Sequence, residues 1–183
     1  IAGMRNSGAK QLTAVDIIDK KGALAIEFGA TDYLNSMADD LEEAAYQQTN
    51  GNFYDVVIEL TGSIRGLDTA LCLTRPSHKN AIHTEPYLGH AKVILPSVYS
   101  REEVFPSRLG TNMMLRTPIM HVVHPMYGID PCVNHKEGIE AFVDGRLPIE
   151  KMITHHIPFS NLQTGYEWLV KAPEGYIKGV VDF

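Results

Sequence analysis

The chain has 183 residues, 44% of them hydrophobic and 21% charged, with 16 basic and 22 acidic side chains giving a formal net charge of −6. This is ordinary globular composition with enough apolar material for a core, and it argues against disorder, a collagen-like repeat or a disulfide scaffold. The acidic balance argues against a nucleic-acid surface.

The length fits one compact domain with room for a small second one. The chain opens at Ile1 without an initiator Met, and IAGMRNSGAK reads as the middle of a helix, so a segment upstream is expected. The opening has no charged stretch followed by an apolar one, as a signal peptide would. No apolar run approaches the roughly 20 residues that a bilayer requires. Cys72 and Cys132 form no CxxC pair and read as reduced thiols of a cytoplasmic protein.

Strand-like and helix-like stretches alternate along the chain, which predicts an α/β fold with a largely parallel sheet. Residues 12–17 (LTAVDI) form a short apolar strand, and Asp19 is placed to cap a helix carrying Leu24, Ala25 and Phe28, with Gly29 beyond its end. Residues 32–35 give a second strand. An acidic helix with Leu41 and Ala45 follows, closed by Asn50-Gly51. YDVVIEL at 54–60 carries the strongest strand signal, being β-branched and nearly continuous. Thr61-Gly62-Ser63 then leads into a helix with Ile64, Leu67, Leu71 and Thr74, stopped by Pro76.

Residues 80–85 read as a weaker strand and 92–95 as another, with a helical turn at 101–106. The apolar stretch 113–123 is predicted as an edge strand, where Pro118 is tolerated. Beyond Met126 the pattern predicts a helix over 135–144 ended by Gly145, an extended stretch at 153–159, a capping box at Ser160–Gln163 opening a helix with Tyr166 and Leu169, and a last strand at 177–183.

Few residues announce chemistry on their own. An acidic residue ending the second strand of a Rossmann unit accepts hydrogen bonds from adenosine ribose hydroxyls and repels a 2′-phosphate, which favours NAD over NADP. Asp16 stands at such a strand end, where a plain turn-capping Asp would serve as well. Thr61-Gly62-Ser63 sits where a parallel strand meets a helix, a place where open sheets collect ligands and where ordinary turns also favour Gly and Ser. His121 and His124 lie three apart, and His155 and His156 are adjacent, so on strands each pair diverges and neither converges on a metal. Cys72 reads as packing, and the carboxylates of Asp39, Asp40, Glu42 and Glu43 as a solvated helix face. Met113, Met114, Met120 and Met126 suit either an adaptable interface or core filling.

Four stretches together carry a resemblance. AGMRNSGAKQLTAVDIIDKKGALAIEFGATDYLN resembles the first Rossmann helix, second strand and following helix of medium-chain dehydrogenases/reductases, the zinc-type alcohol, polyol and threonine dehydrogenase superfamily. YDVVIELTGS, with the helix and RPS after it, is similar to that family's fourth strand and turn. GRLPIEKMITHHIPFSNLQTGYEWL and GYIKGVVDF resemble its carboxyl-terminal segment and closing strand.

The resemblance implies a Rossmann-type doubly wound parallel sheet over 1–124 lacking its first strand and GxGxxG turn, and the carboxyl-terminal part of the catalytic domain over 125–183. It implies an NAD-dependent dehydrogenase that oxidises a secondary alcohol or polyol by hydride transfer. Asp16 would bind the adenosine ribose and Lys21 would lie near it. Thr61 and Gly62 would line the cofactor cleft, His83, Thr84 and Glu85 would face the nicotinamide end, and Lys178 would contact the pyrophosphate. The family often has Gly where Thr84 stands.

Zinc is expected in the parent protein, with its ligands upstream of Ile1, and no catalytic or metal-binding residue is assigned within these residues. A homodimer through the edge strand near Thr117–Val123 is implied, with a small alcohol substrate and no membrane or nucleic-acid partner. A sheet in the order 3-2-1-4-5-6 without its first strand has a gap at its centre. Two other readings stand beside this one: a zinc-independent quinone- or enoyl-type reductase, and an inert interaction fragment.

Overall fold

The computed structural model describes residues 1–5, 7–78, 87–100, 102, 104–123 and 131–183. The predicted strand at 80–85 and the residues His124 and Met126 lie outside these residues. Seven strands and seven α-helices lie among the described residues, alternating except where the helices Pro131–Val143 and Ile149–Met152 follow one another, and every strand pairing is parallel.

The first unit is β1 (Thr13–Asp16), α1 (Lys20–Glu27), β2 (Asp32–Asn35) and α2 (Leu41–Gln48). β1 and β2 run in register from Thr13 opposite Asp32 to Asp16 opposite Asn35. Gly29 ends α1 at φ +102, and Asn50 and Gly51 close α2 at φ 51 and 83. These left-handed turns are what those residue types supply at helix ends. Asp19 stands at the cap position of α1, but its side chain caps nothing; it accepts instead from Asn35 Nδ2 at 2.7 Å.

The second unit is β3 (Val56–Ile58), α3 (Ile64–Leu73), β4 (Lys92–Leu95), α4 (Ser107–Arg116) and β5 (Ile119–Val122). Its sheet runs in the order β3-β4-β5, so β5 is an edge strand. α3 starts with a formed cap: Ser63 Oγ accepts from the Gly66 amide at 3.0 Å. It carries most of the core, with Ile64, Leu67, Ala70 and Leu71 packed against Val93 and Leu95 of β4 and Leu109 of α4. Leu73, one turn further, joins a second cluster with Leu34 of β2 and Ala45 of α2. α3 therefore spans both sheets.

The third unit is α5 (Pro131–Val143), the single-turn α6 (Ile149–Met152), β6 (Ile153–Pro158), α7 (Leu162–Lys171) and β7 (Lys178–Asp182). β6 and β7 form their own two-stranded sheet, with a register shift between Ile153 and His155. His155 lies against Trp168 and Tyr176, whereas His156 reaches Asp182 at 3.2 Å.

Three local expectations are corrected. Among the described residues of the opening, helix is confined to a three-residue 3-10 turn at Ala2–Met4, and Gly8 at φ +80 is unsuited to continuing it. The stretch read as one edge strand at 113–123 is split: Met113–Arg116 finishes α4, Thr117 turns left-handed at φ 45, and only Ile119–Val122 is strand. Burial of Leu109 and packing of Met113 against the same core set the helical period there. The capping box at Ser160–Gln163 does not form, because the chain enters α7 through a 3-10 turn at Phe159–Asn161, and the Leu162 amide donates to the Phe159 carbonyl instead.

The gap expected at the centre of the sheet is present. β1 pairs only with β2 and β3 only with β4 among the described strands. Between them lies a cavity of about 1720 Å³ whose walls include Thr13, Val15, Val57 and Ile58. In the order 3-2-1-4-5-6 this slot is the place of the first strand.

Candidate functional site

The carboxyl ends of β1 and β3 open onto the same cavity, so Asp16 and Thr61 both line it. Brought to one rim by separate strands, they occupy the position where open α/β sheets bind ligands.

Asp16 is tied down on both oxygens. Oδ1 accepts from the Ile18 amide and Oδ2 from Lys21 Nζ, each at 3.1 Å. Its backbone carbonyl accepts from Tyr33 Oη at 3.2 Å and from the Ser36 amide at 3.0 Å. Burial, with the nearby charges of Asp19 and Asp16, raises the Tyr33 phenol and keeps it a donor. The carboxylate remains partly exposed to the cavity and retains acceptor capacity for further hydroxyl groups. Asp16 caps its turn, and its carboxylate also borders the cavity.

The turn after β3 is equally constrained. Gly62 sits at φ +66, and a Cβ there would stand 2.7 Å from the Val98 carbonyl oxygen. Only glycine accommodates both the left-handed backbone and that approach. Thr61 Oγ1 lies 2.9 Å from Ser63 Oγ and accepts from the Ser63 amide at 3.2 Å.

Glu59 organises this turn, and residue patterning did not single it out. The available signal was one acidic residue at the end of the buried run YDVVIEL, immediately before Thr61-Gly62. The residue is only 3% exposed.

The structure brings Asp16, Lys21 and Thr61 to one cavity and sets Gly62 beside it. Lys178 lies exposed at the start of β7 in the separate sheet and is not among the residues lining this cavity. His83, Thr84 and Glu85 lie outside the described residues. Among the described residues no group of three or more His, Cys, Asp or Glu side chains is gathered to hold a metal ion. Cys72 is half-buried and its thiol is pushed up to about 11, first by burial and then by the charge of Glu42.

Residues 1–102 match the sequence model of the family described as zinc-binding dehydrogenase. The chain belongs to the zinc-binding dehydrogenase family. The match covers β1 to β4 and therefore both sides of the candidate site. The chain is 27% identical over 172 residues to alcohol dehydrogenase 1 of Pisum sativum, spanning 92% of this chain and 41% of that protein. It is 25% identical over 171 residues to the class-P alcohol dehydrogenase of Arabidopsis thaliana, with the same coverage.

Among solved structures, L-idonate 5-dehydrogenase of Escherichia coli superposes with a TM-score of 0.75 at 14% identity, covering 100% of this chain and 45% of that one. An alcohol dehydrogenase of Thermotoga maritima gives 0.75 at 19% identity, covering 99% and 45%. These two dehydrogenases share the fold of this chain, which corresponds to the carboxyl-terminal half of the family. The present chain thus spans less than half the length of the relatives it matches.

Proposed function

We propose that this chain forms one wall of the dinucleotide cleft of an NAD-dependent alcohol or polyol dehydrogenase that oxidises a secondary alcohol by hydride transfer. The observation that carries the reading is the Asp16 carboxylate, fixed at the carboxyl end of β1 and facing the cavity that Thr61 also lines. The donor set fits the group. A carboxylate held by two donors is oriented to accept from vicinal ribose hydroxyls and disfavours a 2′-phosphate. Lys21, 3.1 Å away, holds that carboxylate in place.

Thr61 and Gly62 line the middle of the cleft in this reading. His83, Thr84 and Glu85 are assigned to the nicotinamide end and Lys178 to the pyrophosphate. NAD supplies the hydride acceptor, while the residues of this chain bind and orient it. Zinc is assigned to the whole enzyme, with its ligands outside this chain.

Residues 1–124 are proposed as dinucleotide-binding and 125–183 as part of the catalytic domain. The protein is proposed to be cytoplasmic; no described helix is long and apolar enough to cross a membrane. The exposed apolar side chains Ile119, Val122 and Val123 of the β5 edge support a homodimer joined there. Light scattering is expected to give a dimer for the whole enzyme, and a monomer would count against that edge as the interface.

The cofactor assignment is tested by calorimetric titration with NAD and with NADP. NAD is expected to bind more tightly, and Asp16→Ala is expected to weaken NAD about ten- to hundredfold, the loss of hydrogen bonds to a charged group. Equal affinity of wild type and Asp16→Ala for NAD would reject it. One observation favours a second reading, the inert fragment: β1 and β3 each present an unpaired edge to the open slot. Failure of the wild-type chain to bind NAD would favour that reading.

A further inference from the structure

Glu59 is a buried carboxylate whose described partners are all uncharged donors. Oε1 accepts from the Thr61 amide at 2.6 Å and from Thr61 Oγ1 at 2.5 Å. Oε2 accepts from the Gly62 amide at 3.3 Å and from Tyr99 Oη. These bonds occupy the four lone-pair directions of an ionised carboxylate. Burying a charge is costly unless it is fully hydrogen-bonded, and a neutral side chain would fill the space at lower cost. The carboxylate is therefore matched to its donors rather than to packing.

Those donors come from two different segments. Thr61 and Gly62 form the turn after β3, whereas Tyr99 belongs to the segment after β4. The main chain of Glu59 bridges the same pieces: its amide donates to the Ile94 carbonyl of β4 at 2.9 Å, and its carbonyl accepts from Ser97 Oγ at 3.3 Å. The close approach of Gly62 to the Val98 carbonyl belongs to the same contact. One buried side chain thus fastens two adjacent segments at the carboxyl ends of neighbouring parallel strands, where the candidate cleft opens.

We propose that Glu59 is a positioning residue for the cofactor cleft, acting through the Thr61 and Gly62 amides and Tyr99 to lock the turn after β3 onto the segment after β4. The role rests on the reading of the cleft as an NAD site. Locking both segments before the ligand arrives removes the ordering cost that binding would otherwise bear. Glu59 lies at the wall of the cavity, but both of its carboxylate oxygens are already engaged by the Thr61, Gly62 and Tyr99 donors, so its part is to hold those segments.

The test uses the full chain, with NAD titration and amide NMR on wild type, Glu59→Gln and Tyr99→Phe. In Glu59→Gln an NH2 group replaces one acceptor and faces donors, so the Thr61 or Gly62 amide loses its charge-assisted bond. NAD affinity is expected to fall at least about tenfold. The Thr61 and Gly62 amide resonances are expected to move and exchange faster, while those of Ile18 and Lys21 stay put. Tyr99→Phe removes one donor at the far side and is expected to cause a smaller loss, with the double variant no worse than Glu59→Gln alone. It also keeps the proposal testable should Glu59→Gln fail to fold.

Wild-type NAD binding with unmoved Thr61 and Gly62 amides, or with affinity in both variants within about twofold of wild type, would overturn the role of Glu59 and leave the NAD reading intact. Absence of NAD binding by the wild type would overturn both.

Discussion

Leu71→Ala is expected to lower the unfolding free energy by about 2–5 kcal/mol, the range for truncating a fully buried leucine whose cavity does not collapse. Leu71 is 0% exposed and packs within the cluster formed by α3, β4 and Leu109 of α4. Its neighbours cannot close in readily, because Val93 is pinned by ladders on both sides of β4 and Leu109 is equally buried. α3 also carries Leu73 into the cluster with Leu34 and Ala45, so loosening the helix affects both sheets. A natural domain has only about 5–15 kcal/mol in hand, so the loss is a large share of the total. Urea unfolding followed by circular dichroism measures it, and a change below about 1 kcal/mol would show that this cluster is not the stabilising core.

Gly66→Ala is expected to destabilise the protein by about 1–3 kcal/mol, as overpacking does, against the usual sign for glycine in a helix. In an exposed helix interior the same substitution gains about 1 kcal/mol. Here a Cβ on Gly66 would overlap Thr61 Oγ1 and stand 2.7 Å from Glu59 Oε1. Thr61 can escape only by rotating its hydroxyl away, which breaks its bonds to Glu59 and Ser63. The buried Glu59 carboxylate then loses a donor, and leaving such a group short is costly. Chemical denaturation gives the stability change, and a stabilised Gly66→Ala protein would mean that the turn after β3 yields easily.

The elements legible in the sequence were those whose pattern is local. YDVVIEL announces β3, and Asn50-Gly51 and Gly29 mark helix ends because their left-handed backbone favours those residue types. Asp16 could be placed at a strand end for the same reason. The errors fall where two local patterns compete. Met113, Met114 and Leu115 are apolar in succession, which suits a strand as well as a helix; Leu109, one turn earlier and fully buried, decided for the helix. At Ser160–Gln163 the residues of a capping box are present, yet the preceding 3-10 turn changed how the first amides of α7 are satisfied.

By itself the amino-acid sequence determined the alternation of strands and helices, the carboxylate at the end of β1 and the glycine turn after β3, because each depends on neighbours within one turn or one strand. The resemblance of four ordered stretches indicated the family and a sheet open at its centre. Only the tertiary structure decided that Asp16 and Thr61 share one cavity, that α3 binds the two halves of the split sheet, and that Glu59 fastens Thr61, Gly62 and Tyr99 together. The reason is physical. Glu59 and Tyr99 are 40 residues apart, and no local periodicity records a hydrogen bond that exists only once β3 and β4 have paired.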